Sequence, residues 1–322
     1  MPRSINPYTD FGFKRLFGSL ANKALLIDFL NCLVLPEHTI ADLEFRSTEN
    51  LPTTALERRA IFDIRCTAQS GQHFIVKMQK AKFHHFKDRA LFYATFPIKE
   101  QAEVGEWDFR LQPVYFVALL DFLYDEMEEK AKLLREVQLR DQDGEAFSDK
   151  LHFRFVQMPA FRKTGSEVKT QFDKWCFFLK NLESFDVLSE LLREPVFEQG
   201  IETLREAALT KEELPGYEQS LKDYRDLAVY IHERESDARA ESMIEMLREA
   251  VAEGDLTTQR AQEKLRALLQ QGRITEPAVR AGIGLQPDIR KKSCWGALTI
   301  GPQIKHHVAG FLTQTHRERP PL

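Results

Sequence analysis

AIFDIRCTAQSGQHFIVKMQKAKFHHFKDRALFY, residues 60–93, is the stretch from which the fold can be read. Ile61, Phe62, Ile64 and Cys66 surround a lone carboxylate, Asp63. Gln69, Ser70, Gly71 and Gln72 then supply turn chemistry, and Phe74, Ile75, Val76 and Met78 resume an apolar run. The pattern predicts a β-hairpin feeding a helix. Strand side chains alternate faces, so Ile61, Asp63 and Arg65 share one side of the first strand, and Ile75, Lys77 and Gln79 one side of the second. Three polar groups, Asp63, Lys77 and Gln79, therefore converge at one end of an apolar ribbon. Acids are depleted in strands and rarely buried unpaired, which marks Asp63 as a functional candidate. Its simpler account is a strand carboxylate satisfied by backbone, Arg59 or Arg65. Gln79 alone reads as a cross-sheet hydrogen-bonding residue.

On the N-terminal side, Asp10, Phe11, Phe13 and Lys14 precede LFGSLANKALLIDFLN (16–31), whose apolar spacing predicts packed helices with Phe13 and Phe17 in the core. Asp10 and Lys14 stand at the spacing of an intrahelical ion pair. IADLEF (40–45) reads as a strand. Downstream, a helix over His84–Gln101 returns the chain to PVYFVALLDF (113–122), a continuous apolar run that reads as a buried strand. The following DEMEEKAKLLREVQLRDQDGE (125–145) is charged and ends in an Asp-Gly turn at 143 and 144. LHFRFVQMPAF (151–161) gives a further strand. Three to five strands flanked by helices make an α/β core over 1–180.

From Phe172 the chain turns helical. Phe178, Leu179, Leu182, Phe185, Leu188, Leu191 and Leu192 form one stripe, and Leu221, Tyr224, Leu227, Ala228 and Ile231 another. ERESDARAESMIEMLREAVAEG (233–254) predicts a long exposed helix; a solvated helix is its simpler and preferred account, and self-association through Met243, Ile244, Met246 and Leu247 is the alternative. Leu265, Leu268 and Leu269, then Val279 and Ile283, mark two short helices around GRIT. This helical region spans 181–290, and 291–322 reads as a divergent or poorly ordered tail.

Composition narrows the class. With 322 residues, 43% hydrophobic, and 24 Phe, the chain has ample apolar mass for a core. Its 45 Lys and Arg against 49 Asp and Glu give a net charge of −4, which argues against a constitutively basic nucleic-acid coat protein but not against an enzyme with one local basic patch. Cys32, Cys66, Cys176 and Cys294 are scattered without a C-x-x-C pair, as free thiols in a reducing compartment would be. The start lacks a signal-peptide pattern and no apolar segment reaches membrane-spanning length, so a cytoplasmic location is expected. No P-loop or G-x-G-x-x-G appears. His84–His85 and His306–His307 are adjacent pairs that point different ways on a helix and make no zinc site.

NPYTDFGFKRLFG (6–18), NKALLIDFLN (22–31), IFDIRC (61–66), FIVKMQKAKFHHFKDRALFYATFPIKEQA (74–102), GEWDFRLQPVYFVALLDF (105–122) and KWCFFLKNL (174–182) together resemble the Rpn family of recombination-promoting nucleases and transposase-like proteins, a branch of the PD-(D/E)XK nuclease superfamily. The match runs in order over the first two thirds of the chain. The resemblance implies a restriction-endonuclease-like mixed sheet flanked by helices. It also implies a metal-dependent DNA endonuclease using Mg²⁺ or Mn²⁺, with DNA as partner. In that family an Asp on one strand faces Glu-x-Gln on the next, so Asp63 and Gln79 carry over and position 77 does not. Asp10 carries over as a second acid from the family's first helix.

The departure at Lys77 matters physically, because an ammonium cannot ligate a divalent cation and repels it. Three readings stay open: the site is silent, another acid replaces the missing one, or Lys77 itself stands in for the cation's charge. Glu44, Glu49 and Glu57 are candidate replacement acids. The expected catalytic set is Asp63, Lys77 and Gln79, and the expected metal set Asp63, Glu49 and Asp10. Lys80, Lys82, Lys87 and Arg89 form the expected DNA-contacting surface, since backbone neutralisation supplies most sequence-independent affinity for DNA. Without the resemblance, that basic run would read as the solvated face of a helix. The alternative function is a catalytically inactive DNA-binding or regulatory relative, with self-association through the C-terminal helices.

Overall fold

The structure, a computed structural model, describes residues 4–50, 60–61, 63–82, 85–102, 108–124, 131–182 and 190–270, without the side chains of 49, 50, 60, 61 and 190. It comprises two units, 1–233 and 234–322. The first is built on a sheet of six strands, β1 (Leu43–Phe45), β4 (Ile64–Ala68), β5 (His73–Gln79), β6 (Val114–Leu120), β7 (Leu134–Arg140) and β8 (Ala146–Gln157). Their order is β1-β4-β5-β6-β8-β7, with β2 (Glu49–Asn50) and β3 (Ala60–Ile61) pairing in a separate ribbon. β5, β6 and β8 run parallel in the middle, and antiparallel partners close both edges.

The hairpin forms where the pattern puts it. Ile64 faces Val76 and Arg65 faces Ile75 across β4 and β5. Gly71 carries the turn at a φ of 99°, a left-handed conformation that a side chain would strain. The first strand is interrupted, however: Ala60–Ile61 pairs with β2, and Asp63 sits in a bend before β4 resumes. Residues 62 and 84 lie outside the described residues, as does Glu57.

Alternation along β5 sorts the two layers. Phe74, Val76 and Met78 face the larger core with Tyr115, Val117 and Leu119, beneath α1 (Asp10–Phe17), α2 (Lys23–Asn31), α4 (Gln171–Asn181) and α5 (Pro195–Thr203). That core centres on the fully buried Trp175, whose ring lies 5.0 to 5.7 Å from Phe17, Phe29, Phe178 and Phe197 and whose indole N–H donates to Asp28 Oδ1 at 2.6 Å. Ile75, Phe116, Ala118, Leu120, Phe153 and Phe155 face the other way, against Ala90 and Ala94 of α3 (Phe86–Lys99). α3 is thus the crossover between parallel neighbours β5 and β6. Every residue of β6 is buried, which explains its uninterrupted apolar run.

The sheet has six strands where the sequence suggested three to five. The strand it hid is β7, LREVQLR, exposed along most of its length at the sheet edge and joined to β8 by the Asp143-Gly144 turn. The stripe expected from Phe178 through Leu192 is not one described helix: α4 ends at Asn181 and residues 183–189 lie outside the description. α6 (Leu214–Ala252) is longer than expected. In the second unit, Ala240 and Ile244 pack on Leu265 of α7 (Thr258–Gln270), so Ile244 turns to its own chain while Met246 stays exposed. Val279, Ile283 and the 291–322 tail are outside the described residues.

Candidate functional site

Asp63 lies immediately before β4, on the α3 side of the sheet, opposite the end of β5. Its carboxylate is held from two directions: Met78 N–H donates to Oδ2 at 2.8 Å, and Lys77 Nζ donates to Oδ1 at 3.1 Å. Both side chains are largely covered, Lys77 to 10% exposure and Asp63 to 20%. Arg65, an expected partner, instead pairs its guanidinium with Glu100 just beyond α3, and Arg59, the other, lies outside the described residues. Alternation brings Arg65, Ile75, Lys77 and Gln79 to this same face, as the sequence predicted.

α3 closes the site from above. Tyr93 and Arg89 stand four residues apart on its inner face, and Arg89 donates to the Tyr93 hydroxyl at 3.3 Å. Lys77 Nζ lies 5.0 Å from the centre of the Tyr93 ring and Arg89 Cζ 5.9 Å from it, so one aromatic face system holds two cations. Lys77, Gln79, Arg89 and Tyr93, with Phe86 and Phe116, line a shallow concavity there. Gln79 donates its amide to Ala81 O at 3.1 Å.

A second polar group lies where β5 and β6 end, on the side facing α1 and α6. Asp121 follows β6, and its N–H donates to Gln79 O at 3.0 Å. Its carboxylate accepts the Tyr224 hydroxyl at 3.0 Å. Burial pushes the Asp121 carboxyl above its ordinary value, opposed by that hydrogen bond and by Lys80. Lys80, whose Nζ lies 5.8 Å from the Tyr224 ring, is held below the ordinary ammonium value by burial, and Asp10, Asp63 and Asp223 act against that shift. Sequence reading did not single out Asp121 or Tyr224 as candidate site residues. The signal for Asp121 was available: a carboxylate at the C-terminal end of a buried parallel strand, where ligands of α/β sheets are met.

The other expected residues scatter. Asp10 opens α1 and pairs with Lys14 at 3.0 Å, both about half exposed, and it reaches the site only through the field it exerts on Lys80. Glu44 lies on the outer strand β1, opposite Thr67, and pairs with Arg46. Glu49 has its backbone in β2 but its side chain lies outside the described residues. Lys82 and Lys87 are exposed near Tyr124: Lys82 Nζ reaches Tyr124 O at 3.5 Å, and Lys87 Nζ lies 4.8 Å from its ring.

A small divalent ion needs several oxygen ligands converging on one point. Both oxygens of Asp63 already accept N–H donors, one from an ammonium, and among the described residues no group of three or more His, Cys, Asp or Glu side chains converges. The described donor set does not fit such an ion.

A six-stranded mixed sheet with helices on both faces, and an Asp that opens a hairpin beneath a crossover helix, define the PD-(D/E)XK α/β fold. The chain belongs to the PD-(D/E)XK nuclease family transposases, whose family model matches residues 7–234. No curated protein and no solved structure matched it. Nucleases of this superfamily generally use divalent metals.

Proposed function

We propose that this chain is a DNA-binding member of the nuclease family whose metal-dependent hydrolysis is lowered or lost because Lys77 occupies the coordination space of Asp63. The single observation behind this reading is the 3.1 Å contact from Lys77 Nζ to Asp63 Oδ1. A divalent ion approaching Asp63 meets a fixed positive charge and one carboxylate where the family supplies two. DNA engagement draws support from the cations on and beside α3, Lys82, Lys87 and Arg89, and from Lys80 at the strand ends. Self-association through the C-terminal helices is part of the same reading, with exposed Met246 as its contact.

The reading is tested by plasmid nicking in Mg²⁺ or Mn²⁺ with the natural chain, Asp63→Ala and Lys77→Glu. Activity gained only on Lys77→Glu supports a silent site on a sound scaffold. Cleavage by the natural chain that Asp63→Ala abolishes overturns it in favour of a rearranged live site. That second reading draws on the charge of Lys80, which Asp10 and Asp63 both favour against the effect of burial.

A further inference from the structure

We propose that the outer edge of β7 is an interface on which a second copy of this chain pairs antiparallel, about a two-fold axis at Gln138. This surface is separate from the C-terminal helices and does not depend on the DNA reading. β7 ends the sheet, and among the described residues no strand pairs with its outer side. Gln157 N–H donates to Leu133 O at 2.7 Å, one step before Leu134 meets Val156, so Leu133, Arg135 and Val137 turn their backbone groups toward β8. Leu134, Glu136 and Gln138 therefore present theirs outward, and continued alternation adds Arg140. The irregularity beyond Gln138 places its extra residues in β8 and leaves β7 continuous. Edges guarded against pairing commonly carry Pro or Lys, and LREVQLR has neither.

Charge identifies the occupant. Residues 135–141 read Arg-Glu-Val-Gln-Leu-Arg-Asp, a pattern antisymmetric about Gln138. Outward groups must meet outward groups, so a two-fold axis falls on a residue and not between two. With the axis at Glu136, Glu meets Glu. At Val137, Glu136 meets Gln138 and Arg135 meets Leu139, and no charge is answered. At Gln138, Glu136 meets Arg140 and Arg135 meets Asp141, each twice by symmetry, while Val137 meets Leu139. Val137 and Leu139 are exposed, as is Phe147, the neighbour of Leu139's partner Ser148 on β8. Each charge keeps contacts within its own copy. Glu136 Oε1 accepts from Arg154 at 3.2 Å, yet its side chain is more than half exposed, and a carboxylate accepts from two cations. Arg140 donates to Gln138 Oε1 at 3.0 Å and to Gly144 O at 2.5 Å, which uses two of five guanidinium N–H groups.

Sedimentation velocity of the full chain over about a hundredfold range of concentration reads the association. The natural chain is compared with Gln138→Pro, Arg140→Glu, Glu136→Arg/Arg140→Glu and Met246→Lys, each checked for folding by urea unfolding. Gln138→Pro removes an outward N–H and leaves the bonds to β8 in place. It and Arg140→Glu are expected to weaken the dimer about tenfold or more, and Glu136→Arg/Arg140→Glu, which restores opposite signs across the axis, to recover most of that loss. Met246→Lys leaves this dimer unchanged. Oxidation reads the register. Facing Cα atoms of a hydrogen-bonded antiparallel pair stand about 5.5 Å apart, within disulfide reach. Gln138→Cys should therefore form an intermolecular disulfide that neither the natural chain nor Glu136→Cys alone forms, while Glu136→Cys mixed with Arg140→Cys forms one. A natural chain that stays monomeric throughout, or a folded Gln138→Pro that dimerises as well as it does, overturns the interface. Dimerisation lost only on Met246→Lys overturns it in favour of the C-terminal helices. A folded double variant that recovers nothing, or a disulfide from Glu136→Cys alone with none from Gln138→Cys, overturns the axis at Gln138.

Discussion

Replacing Lys77 by Met removes the ammonium that answers Asp63 while keeping a side chain of similar length between β5 and α3. With 10% and 20% of the two side chains exposed, the pair is close to a buried one, and breaking such a pair costs about 3–5 kcal/mol. Asp63 keeps its hydrogen bond from Met78 N–H and some contact with water, which places the expected loss at the lower end, about 3 kcal/mol. For a unit of this size that lowers Tm by roughly 6–12 °C. Asp63→Asn combined with Lys77→Met removes both charges and leaves a side-chain oxygen for Met78 N–H, so the double variant should return to within about 1 kcal/mol of the natural chain, about 2 kcal/mol better than Lys77→Met alone. Lys77→Glu places two carboxylates together and should destabilise at least as much as Lys77→Met in EDTA. Mn²⁺ at a hundredfold excess over its Kd then restores about 2.7 kcal/mol. The assay is thermal unfolding followed by tryptophan fluorescence, Trp175 reporting from the core, with EDTA or MnCl₂. A Lys77→Met chain as stable as the natural one, or a double variant no better than the single, would refute the claim that this pair organises the site. A natural chain that Mn²⁺ stabilises through Asp63 would show that Lys77 leaves the carboxylate open.

Three further outcomes follow from the same geometry. Gly12→Ala should lower stability by more than about 3 kcal/mol and show as lost soluble yield or a collapsed Tm, because a Cβ there would stand 2.1 Å from Asn6 O. Tyr224→Phe leaves Asp121 without its hydroxyl donor and should cost about 1–2 kcal/mol in urea unfolding, with Asp121→Asn/Tyr224→Phe costing less than the sum of the singles. Burial, with Arg154 and His38 acting the same way, holds His152 below the ordinary imidazole value, so the unfolded chain binds more protons once the pH falls below about 6.5. Stability contributed by neutral His152 is therefore full above that pH and declines as acid is added toward the folded value. Urea midpoints measured from about pH 8 to 5 should fall on this account, and His152→Gln should flatten the decline.

Much of this was legible because burial on two faces writes different patterns. β6 announced itself as VYFVALL since both of its faces are covered, and β5 did so while carrying Lys77 at the one inward position that meets a carboxylate. β7 was illegible for the opposite reason. At the sheet edge it buries little, so Arg135, Glu136 and Arg140 made a strand look like a charged connection. At the site, alternation correctly set Asp63, Lys77 and Gln79 on one face. It could not give the partner of Asp63, because Arg65 shares that face and only the position of Glu100 after α3 draws the guanidinium away. Asp121 was read as the last letters of a strand, and Tyr224 as one apolar position in a helical stripe. Their hydrogen bond spans 103 residues, a separation over which local periodicity carries no information.

The fold does not depend on the charge at position 77, because the residues that specify it lie elsewhere. Phe74, Val76 and Met78 bury into the larger core, Ile75 packs toward α3, and neither layer depends on the charge of the side chain between Ile75 and Gln79. What that charge does decide is how the site is neutralised. Two facing carboxylates would be stable only with a bound cation, and their stability would rise and fall with the logarithm of its concentration. An ammonium tethered to β5 supplies its charge from within the chain and cannot be diluted. The Asp63 corner is therefore held whether or not divalent ions are present.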